Sequence, residues 1–188
     1  MKIRYNAPTV LTFTLICALV MLLSETLLLN LNLVLFTVPG KDNFNPANII
    51  HWVTLFTHVL GHGNWTHLAS NLTIILLIGP MLETNYGSVK LLIMIVITAL
   101  VTGALNVLLF PAALLGASGV VFMMILLSSL TNFSKGEVPL TFILVLILYM
   151  GSQVLQFFNN DNISQFAHII GGLCGSFFGF IFAEKRLK

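Results

Sequence analysis

Long apolar runs separated by short polar segments make up most of this chain. A helix needs about 20 consecutive apolar residues to cross the hydrocarbon core of a bilayer, and several runs reach or approach that length. The run boundaries predict six membrane-spanning helices, at roughly 9–29, 66–82, 89–109, 118–130, 140–158 and 163–183. The first run is too long for the apolar part of a secretory signal peptide, and no small-residue cleavage site follows it, so we interpret it as a retained anchor helix.

Residues 30–64 interrupt this pattern. Asparagine, proline, glycine and charged residues exclude a membrane span over most of the segment. Its last part, residues 49–60, has a helical pattern of apolar positions and carries Trp52 and two histidines. We interpret this last part as a helix that lies in the membrane interface. A loop of this length in so small a membrane protein usually has a function.

The composition is typical of a membrane protein. Hydrophobic residues make up 57% of the 188 residues, charged residues make up 7%, and the mean hydropathy is +1.00, whereas a soluble domain carries about 25% charged residues. These values exclude a soluble or disordered chain. A net charge of +2 spread along the chain provides no basic patch for nucleic acid. The expected class is an all-α membrane protein surrounded by the lipid bilayer.

The basic residues predict the orientation of the six helices. With six spans, seven of the eight basic residues share one side of the membrane, and these are Lys2, Arg4, Lys90, Lys135, Lys185, Arg186 and Lys188. Lys41 faces the other side. Because cytoplasmic loops carry an excess of lysine and arginine, we expect both termini to lie in the cytoplasm.

Polar residues inside apolar spans are costly, so each one is a candidate functional residue. His67 and Asn71 are four residues apart and therefore share one face of the second predicted span. Both side chains can donate hydrogen bonds. The spacing alone leaves two interpretations open, a polar contact between packed membrane helices and a pair of donors in a functional site.

Ser118 lies between small residues in Gly116-Ala117-Ser118-Gly119, directly before the short fourth span. A serine at a helix N-terminus places its Oγ and its backbone N–H in a region of positive potential, which favours a developing oxyanion. The glycines permit close approach of a backbone or a substrate. An ordinary serine N-cap between glycines is the alternative interpretation.

His168 stands at the edge of a stripe of small residues in the last span. The stripe recurs every four residues and consists of Ala167, Gly171, Gly175 and Gly179. Such stripes are typical of closely packed membrane helices, so we expect His168 near a neighbouring helix, as a packing residue or as a catalytic base. All six acidic residues lie at span ends or in loops. A catalytic pair of Ser118 and His168 would therefore be a dyad without a carboxylate.

Taken in order, these residues resemble the motifs of the rhomboid intramembrane serine proteases. The matching stretches are 56–62, 67–71, 82–88, 116–121 and 167–171. The resemblance runs from about residue 50 to the C-terminus. It implies a six-span fold, no metal or cofactor, and cleavage of transmembrane segments of other membrane proteins near the outer face.

The resemblance also implies a role for each site residue. Ser118 would be the nucleophile and His168 its general base. The backbone N–H of Ser118 would form the oxyanion hole with the side chains of His67 and Asn71. The supporting residues would be His62, Gly116, Gly119, Phe122 and Gly171. The segment 30–64 would be a large outer loop that lies in the outer leaflet. The fifth span and the loop 158–165 would be the gate and cap for the substrate.

Two positions depart from the family pattern. Many bacterial relatives carry tyrosine one turn after the serine, where this chain has Phe122, so the ring can still stack on the histidine but the hydroxyl is lost. Many relatives carry Trp-Arg in the first loop, where Val53 follows Trp52 here, and this difference concerns the anchoring of the loop. The chain otherwise resembles the minimal bacterial or archaeal members of the family, which predicts a multi-pass protein of a prokaryotic cell membrane.

Three other interpretations remain open. His58, His62 and His67 could hold a metal ion, although the sequence lacks a His-Glu-x-x-His pattern and any further cluster of histidine or cysteine. A non-catalytic rhomboid-like protein that binds membrane helices is the alternative function, although such relatives usually lack the serine or the histidine. The sequence does not distinguish a general protease from one dedicated to a single class of sorting tails.

Overall fold

The computed structural model describes residues 4–131, 137–151 and 162–186. Eight α-helices occupy most of these ranges, and they are α1 (Pro8–Thr26), α2 (Leu31–Leu35), α3 (Ile49–Thr57), α4 (Trp65–Tyr86), α5 (Ser88–Leu109), α6 (Ser118–Ser129), α7 (Leu140–Val145) and α8 (Asn162–Arg186). A 3-10 turn at His58–Leu60 extends α3, and a π-helical turn at Leu146–Met150 extends α7. The predicted all-α class is confirmed for these residues.

Four helices in the described part of the chain are long and apolar enough to cross a membrane, namely α1, α4, α5 and residues Gln165–Phe182 of α8. Each corresponds to a predicted span. The helix at the fourth predicted span, α6, has twelve residues. The fifth predicted span is described only as far as residue 151, and its remainder lies outside the described residues with most of the predicted cap loop. The six-span count, the orientation and the gate therefore stay predictions.

The second span extends beyond its predicted end. We expected it to end at residue 82 because Gly79, Pro80, Glu83 and the predicted turn 85–87 close the apolar run, yet α4 continues through Pro80 to Tyr86. Packing in the last turn outweighs the hydrogen bond that proline cannot donate, since Glu83 and Tyr86 are both buried there. The helix ends at Gly87, whose φ of +83° favours glycine.

The carboxylate of Glu83 joins α4 to the start of α1. Its Oε1 accepts the N–H of Thr9 at 2.8 Å, and its Oε2 accepts the N–H of Val10 at 3.0 Å. These N–H groups belong to the first turn of α1 and have no acceptor within that helix. A carboxylate also interacts favourably with the positive end of the helix dipole. Glu83 therefore fixes the position of α1 against α4.

The short helix α6 lies in the core of the bundle. Its buried residues are Gly119, Val120, Val121, Phe122, Met123, Met124, Leu126 and Leu127. Helix α8 packs against it at backbone distance, because a Cβ at Gly171 would overlap the carbonyl of Gly119, and one at Gly175 would overlap the carbonyl of Met123. These contacts advance in the same direction along both helices, so α6 and α8 are parallel. The predicted small-residue stripe is thus confirmed as a packing surface.

The predicted outer loop contains α2, α3 and the 3-10 turn. The exposed apolar side chains of α3 are Ile49, Trp52, Val53 and Phe56. The opposite face buries Thr54 and Leu55. Helix α5 accommodates this face with Gly103, where a Cβ would lie 2.9 Å from the carbonyl oxygen of Leu55. A short helix with one exposed apolar face fits the predicted place in the interface.

Candidate active site

A cavity of about 270 Å³ opens between α4, α6 and α8. Its lining residues are His67, Ser70, Asn71, Ile74, Leu114, Leu115, Ser118, Val121, Phe122 and His168. The structure therefore brings together the side chains that the sequence predicted as the catalytic pair and the oxyanion donors, although they come from three different helices. The remaining wall is formed mostly by apolar side chains.

Ser118 is the first residue of α6, and Ala117 is the N-cap. The interpretation of Ser118 as an ordinary N-cap is therefore wrong, because the capping position lies one residue earlier. Gly116 turns the chain into the helix with a φ of +121°, and a Cβ there would lie 2.6 Å from the Cε1 of His67. The N–H of Gly116 donates to the carbonyl oxygen of His58 at 2.9 Å. This bond fixes the loop that presents the serine.

The position of His168 follows from the close packing of α8 on α6. Gly171 lies one turn after His168, and its contact with Gly119 sets His168 at the level where α6 begins. Phe122 lies flat on the imidazole, with ring centroids 4.3 Å apart and an angle of 7° between the ring planes. The expectation that a phenylalanine at this position can stack on the histidine is confirmed.

His67 and Asn71 project from the first two turns of α4. Asn64 caps this helix, since its Oδ1 accepts the N–H of His67 at 2.8 Å. Asn71 follows one turn later and lines the same cavity, as the spacing of four predicted. Its side chain is 6% exposed, so the amide reaches the cavity from a largely buried position.

His62 contacts both of these residues from the loop before α4. The Nδ2 of Asn71 lies 3.0 Å from the Nε2 of His62, and the rings of His62 and His67 meet edge to face with centroids 5.1 Å apart. Burial, and to a lesser extent the neighbouring His67, lowers the pKa of His62 from 6.5 to about 4. The ring is therefore neutral at physiological pH.

The side chain of His58 hydrogen-bonds to the end of α3 and to helix α5, and not to the residues that line the cavity. Its Nδ1 lies 3.2 Å from the carbonyl oxygen of Thr54, and its Nε2 lies 3.3 Å from the Oγ1 of Thr102. This buried ring therefore joins the 3-10 turn to α5. Within residues 4–131, 137–151 and 162–186, no three histidine, cysteine or acidic side chains are grouped so that they could hold a metal ion.

Several contributors to the site were not apparent from the sequence pattern. Ser70 lines the cavity, and its hydroxyl donates to the carbonyl oxygen of His67 at 3.0 Å. Asn32, one of the asparagines that exclude a membrane span over residues 30–64, donates its Nδ2 to the carbonyl oxygen of His62 at 2.9 Å. No local spacing connects Asn32 to His62, because 30 residues separate them. Only the fold brings these groups together.

The fold and the cavity define a multi-pass membrane protein with serine, histidine and asparagine side chains gathered between its helices. Residues 50–185 match the family model described as the Rhomboid domain. This match covers more than half of the chain, and the protein belongs to the rhomboid family. The match spans every residue that lines the cavity.

Three relatives show how far the similarity extends. The chain is 28% identical over 133 residues to the rhomboid protease GlpG of Haemophilus influenzae, which covers 69% of each chain. It is 32% identical over 160 residues to the putative rhomboid protease YdcA of Bacillus subtilis, covering 80% of this chain and 76% of the relative. It is 28% identical over 170 residues to the chloroplastic rhomboid-like protein 11 of Arabidopsis thaliana, covering 79% of this chain and 61% of the relative.

Proposed function

We propose that this protein is an intramembrane serine endopeptidase that cleaves transmembrane segments of other membrane proteins near the outer face. Membership of the rhomboid family and the relatives named as proteases support the protease activity. One observation supports the serine mechanism above all others, which is the single cavity lined by Ser118, His168, His67 and Asn71. No cofactor takes part in this proposal.

The proposed reaction proceeds through an acyl-enzyme. His168 accepts the proton of the Ser118 hydroxyl while the Oγ attacks the scissile carbonyl carbon. The tetrahedral intermediate then breaks its C–N bond, and the leaving amine takes the proton from His168. Water, deprotonated in turn by His168, attacks the ester and releases the carboxylic acid product with Ser118 restored.

The negative charge of the tetrahedral intermediate falls on the former carbonyl oxygen. The backbone N–H of Ser118 lies in the first turn of α6 and has no acceptor within that helix, so it is available to this oxyanion. The helix dipole adds positive potential at the same place. The side chains of His67 and Asn71 supply the other proposed donors from the facing wall of the cavity.

The membrane setting constrains the substrate. Hydrolysis requires water, so the cavity must open to one side of the bilayer. A transmembrane helix has its peptide groups hydrogen-bonded, so it must unwind before the serine can attack. We therefore expect substrates with glycine, proline or polar residues near the cleaved bond. The excess of basic residues on one predicted side favours an orientation with both termini in the cytoplasm. The resemblance to the minimal bacterial or archaeal members of the family favours a prokaryotic cell membrane.

A fluorophosphonate probe tests the assignment of the nucleophile in the purified protein. We expect the probe to label the wild type and to fail with Ser118→Ala and His168→Ala, because only a serine with a base becomes sufficiently nucleophilic. Ser128→Ala is the matched control, since Ser128 lies on the same helix and its hydroxyl donates to the carbonyl oxygen of Ile125. Labelling of Ser118→Ala would refute the assignment. A folded wild type that is not labelled would favour the non-catalytic alternative.

A further inference from the structure

We propose that His62 is a positioning residue that orients the amide of Asn71 towards the oxyanion. This inference rests on the proposed function, because it concerns a donor of the oxyanion hole. It goes further by giving a specific task to a side chain that does not itself line the cavity. His62 would act by accepting one of the two hydrogens on the Asn71 nitrogen.

The contact between the two side chains has a defined direction. The Nδ2 of Asn71 lies 3.0 Å from the Nε2 of His62. An amide nitrogen donates hydrogen bonds and does not accept them. The Nε2 of His62 must therefore be the acceptor, which places the ring proton on Nδ1 and makes the imidazole neutral. Only this tautomer of His62 can hold the amide of Asn71 in the observed orientation.

The orientation matters because the two ends of an asparagine amide have similar shapes and opposite hydrogen-bonding roles. With one hydrogen of Nδ2 bound to His62, the second hydrogen of the same nitrogen remains available to an oxyanion in the cavity that Asn71 lines. If the amide turned by half a rotation, its Oδ1 would exchange places with the nitrogen. The carbonyl oxygen would then repel the oxyanion instead of stabilising it. A His62 ring that carries its proton on Nδ1 can only accept a hydrogen bond at Nε2, so it selects the first arrangement.

His62 is itself held firmly enough to perform this task. Its side chain is 1% exposed, and its carbonyl oxygen accepts a hydrogen bond from Asn32 at 2.9 Å. The edge-to-face contact with His67 restrains the ring on a further side. Both side-chain donors of the proposed oxyanion hole thus contact one buried imidazole. A buried and fully packed acceptor keeps its geometry better than a mobile surface group.

Two substitutions of similar polarity separate positioning from a purely structural role. In His62→Gln, the longer side chain can place an acceptor near the former Nε2, whereas the shorter side chain of His62→Asn cannot. We expect His62→Asn and His62→Leu to lower kcat by about tenfold with little change in KM, because the lost bond acts only on the oxyanion. We expect His62→Gln to recover most of that loss. His51→Leu is the matched control, at a histidine of the same loop that bonds to the backbone of Asn45.

The experiment measures cleavage of a fluorogenic transmembrane peptide with a glycine near its outer end, in detergent micelles, together with the thermal unfolding midpoint of each variant. A double-mutant cycle completes it, because His62 acts through Asn71. Asn71→Ala alone should lower kcat on the order of 10²-fold, and adding His62→Leu should lower it no further. Additive losses, or equal rates for His62→Gln and His62→Asn, would overturn the inference. A wild type that neither cleaves the peptide nor reacts with the fluorophosphonate would instead refute the proposed function.

Discussion

Phe122 lies flat against the imidazole of His168, with ring centroids 4.3 Å apart and an angle of 7° between the planes. The stack limits rotation of the imidazole, which the carboxylate of a triad would otherwise restrain. In the proposed mechanism this imidazole must first accept a proton and later return it. Its orientation relative to Ser118 should therefore affect the rate of the chemical step.

Replacement of Phe122 tests this role of the stack. Phe122→Leu removes the ring and retains much of the buried volume, and we expect kcat to fall by up to about tenfold, since an aromatic pair contributes about 0.5–1.5 kcal/mol beyond its burial. Phe122→Tyr retains the ring and should cleave the transmembrane peptide at close to the wild-type rate. If Phe122→Leu matches the wild type in kcat, the stack has no part in positioning His168.

The bond between Glu83 and the start of α1 predicts an effect on stability rather than on catalysis. Glu83→Ala leaves the N–H groups of Thr9 and Val10 without their acceptor, and each buried group left unsatisfied costs about 1–3 kcal/mol. We expect a lower midpoint of thermal unfolding in detergent and a nearly unchanged rate of fluorophosphonate labelling at low temperature. Glu25→Ala is the matched control, because Glu25 is an exposed carboxylate at the other end of α1. Equal midpoints for the two variants would contradict the prediction.

The sequence allowed the packing of the last helix to be predicted, because the information is local. The stripe that includes Gly171 and Gly175 recurs with the period of a helix, and small residues at that period favour backbone contact. His168 belongs to the same pattern, so its place beside a neighbouring helix could also be predicted. The spacing of four between His67 and Asn71 likewise allowed us to predict that both side chains share one face of α4.

Other features depend on contacts between distant parts of the chain and could not be predicted from local pattern. Helix α4 continues through Pro80 to a last turn in which Glu83 bonds to the start of α1, and the sequence of α4 does not indicate that partner. The bond from Asn32 to His62 joins two ends of the outer loop. The loop before Ser118 is held by the hydrogen bond from the N–H of Gly116 to the carbonyl oxygen of His58. Each of these is a tertiary contact that local propensity does not encode.

The contact between Gly171 and Gly119 predicts that a single methyl group will separate α8 from α6. A Cβ at Gly171 overlaps the backbone of Gly119, so Gly171→Ala must push the two helices apart and move His168 away from Ser118. We expect kcat to fall by more than about tenfold, since small misplacements of a catalytic group are costly, and the unfolding midpoint to fall as well. Leu173→Ala is the matched control, because Leu173 lies on the same helix and its side chain is exposed. Full activity in Gly171→Ala would show that the helices can separate without displacing His168.

The two buried histidines of the outer loop predict a loss of stability in acid. Burial lowers the pKa of His58 and of His62 from 6.5 to about 4. As the pH falls below about 6.5, the unfolded chain binds protons at these positions before the folded chain does, so the free energy of unfolding decreases until the pH reaches about 4. We expect the unfolding midpoint in detergent to be lower at about pH 5 than at about pH 7.5, and this difference to shrink in His58→Gln, which cannot take up a proton. The wild type and the variant are compared by how steeply the unfolding midpoint changes with pH. Their midpoints at a single pH are not compared, because His58→Gln also alters the contact with Thr102. An equal slope in the wild type and the variant would exclude His58 as one of the groups responsible.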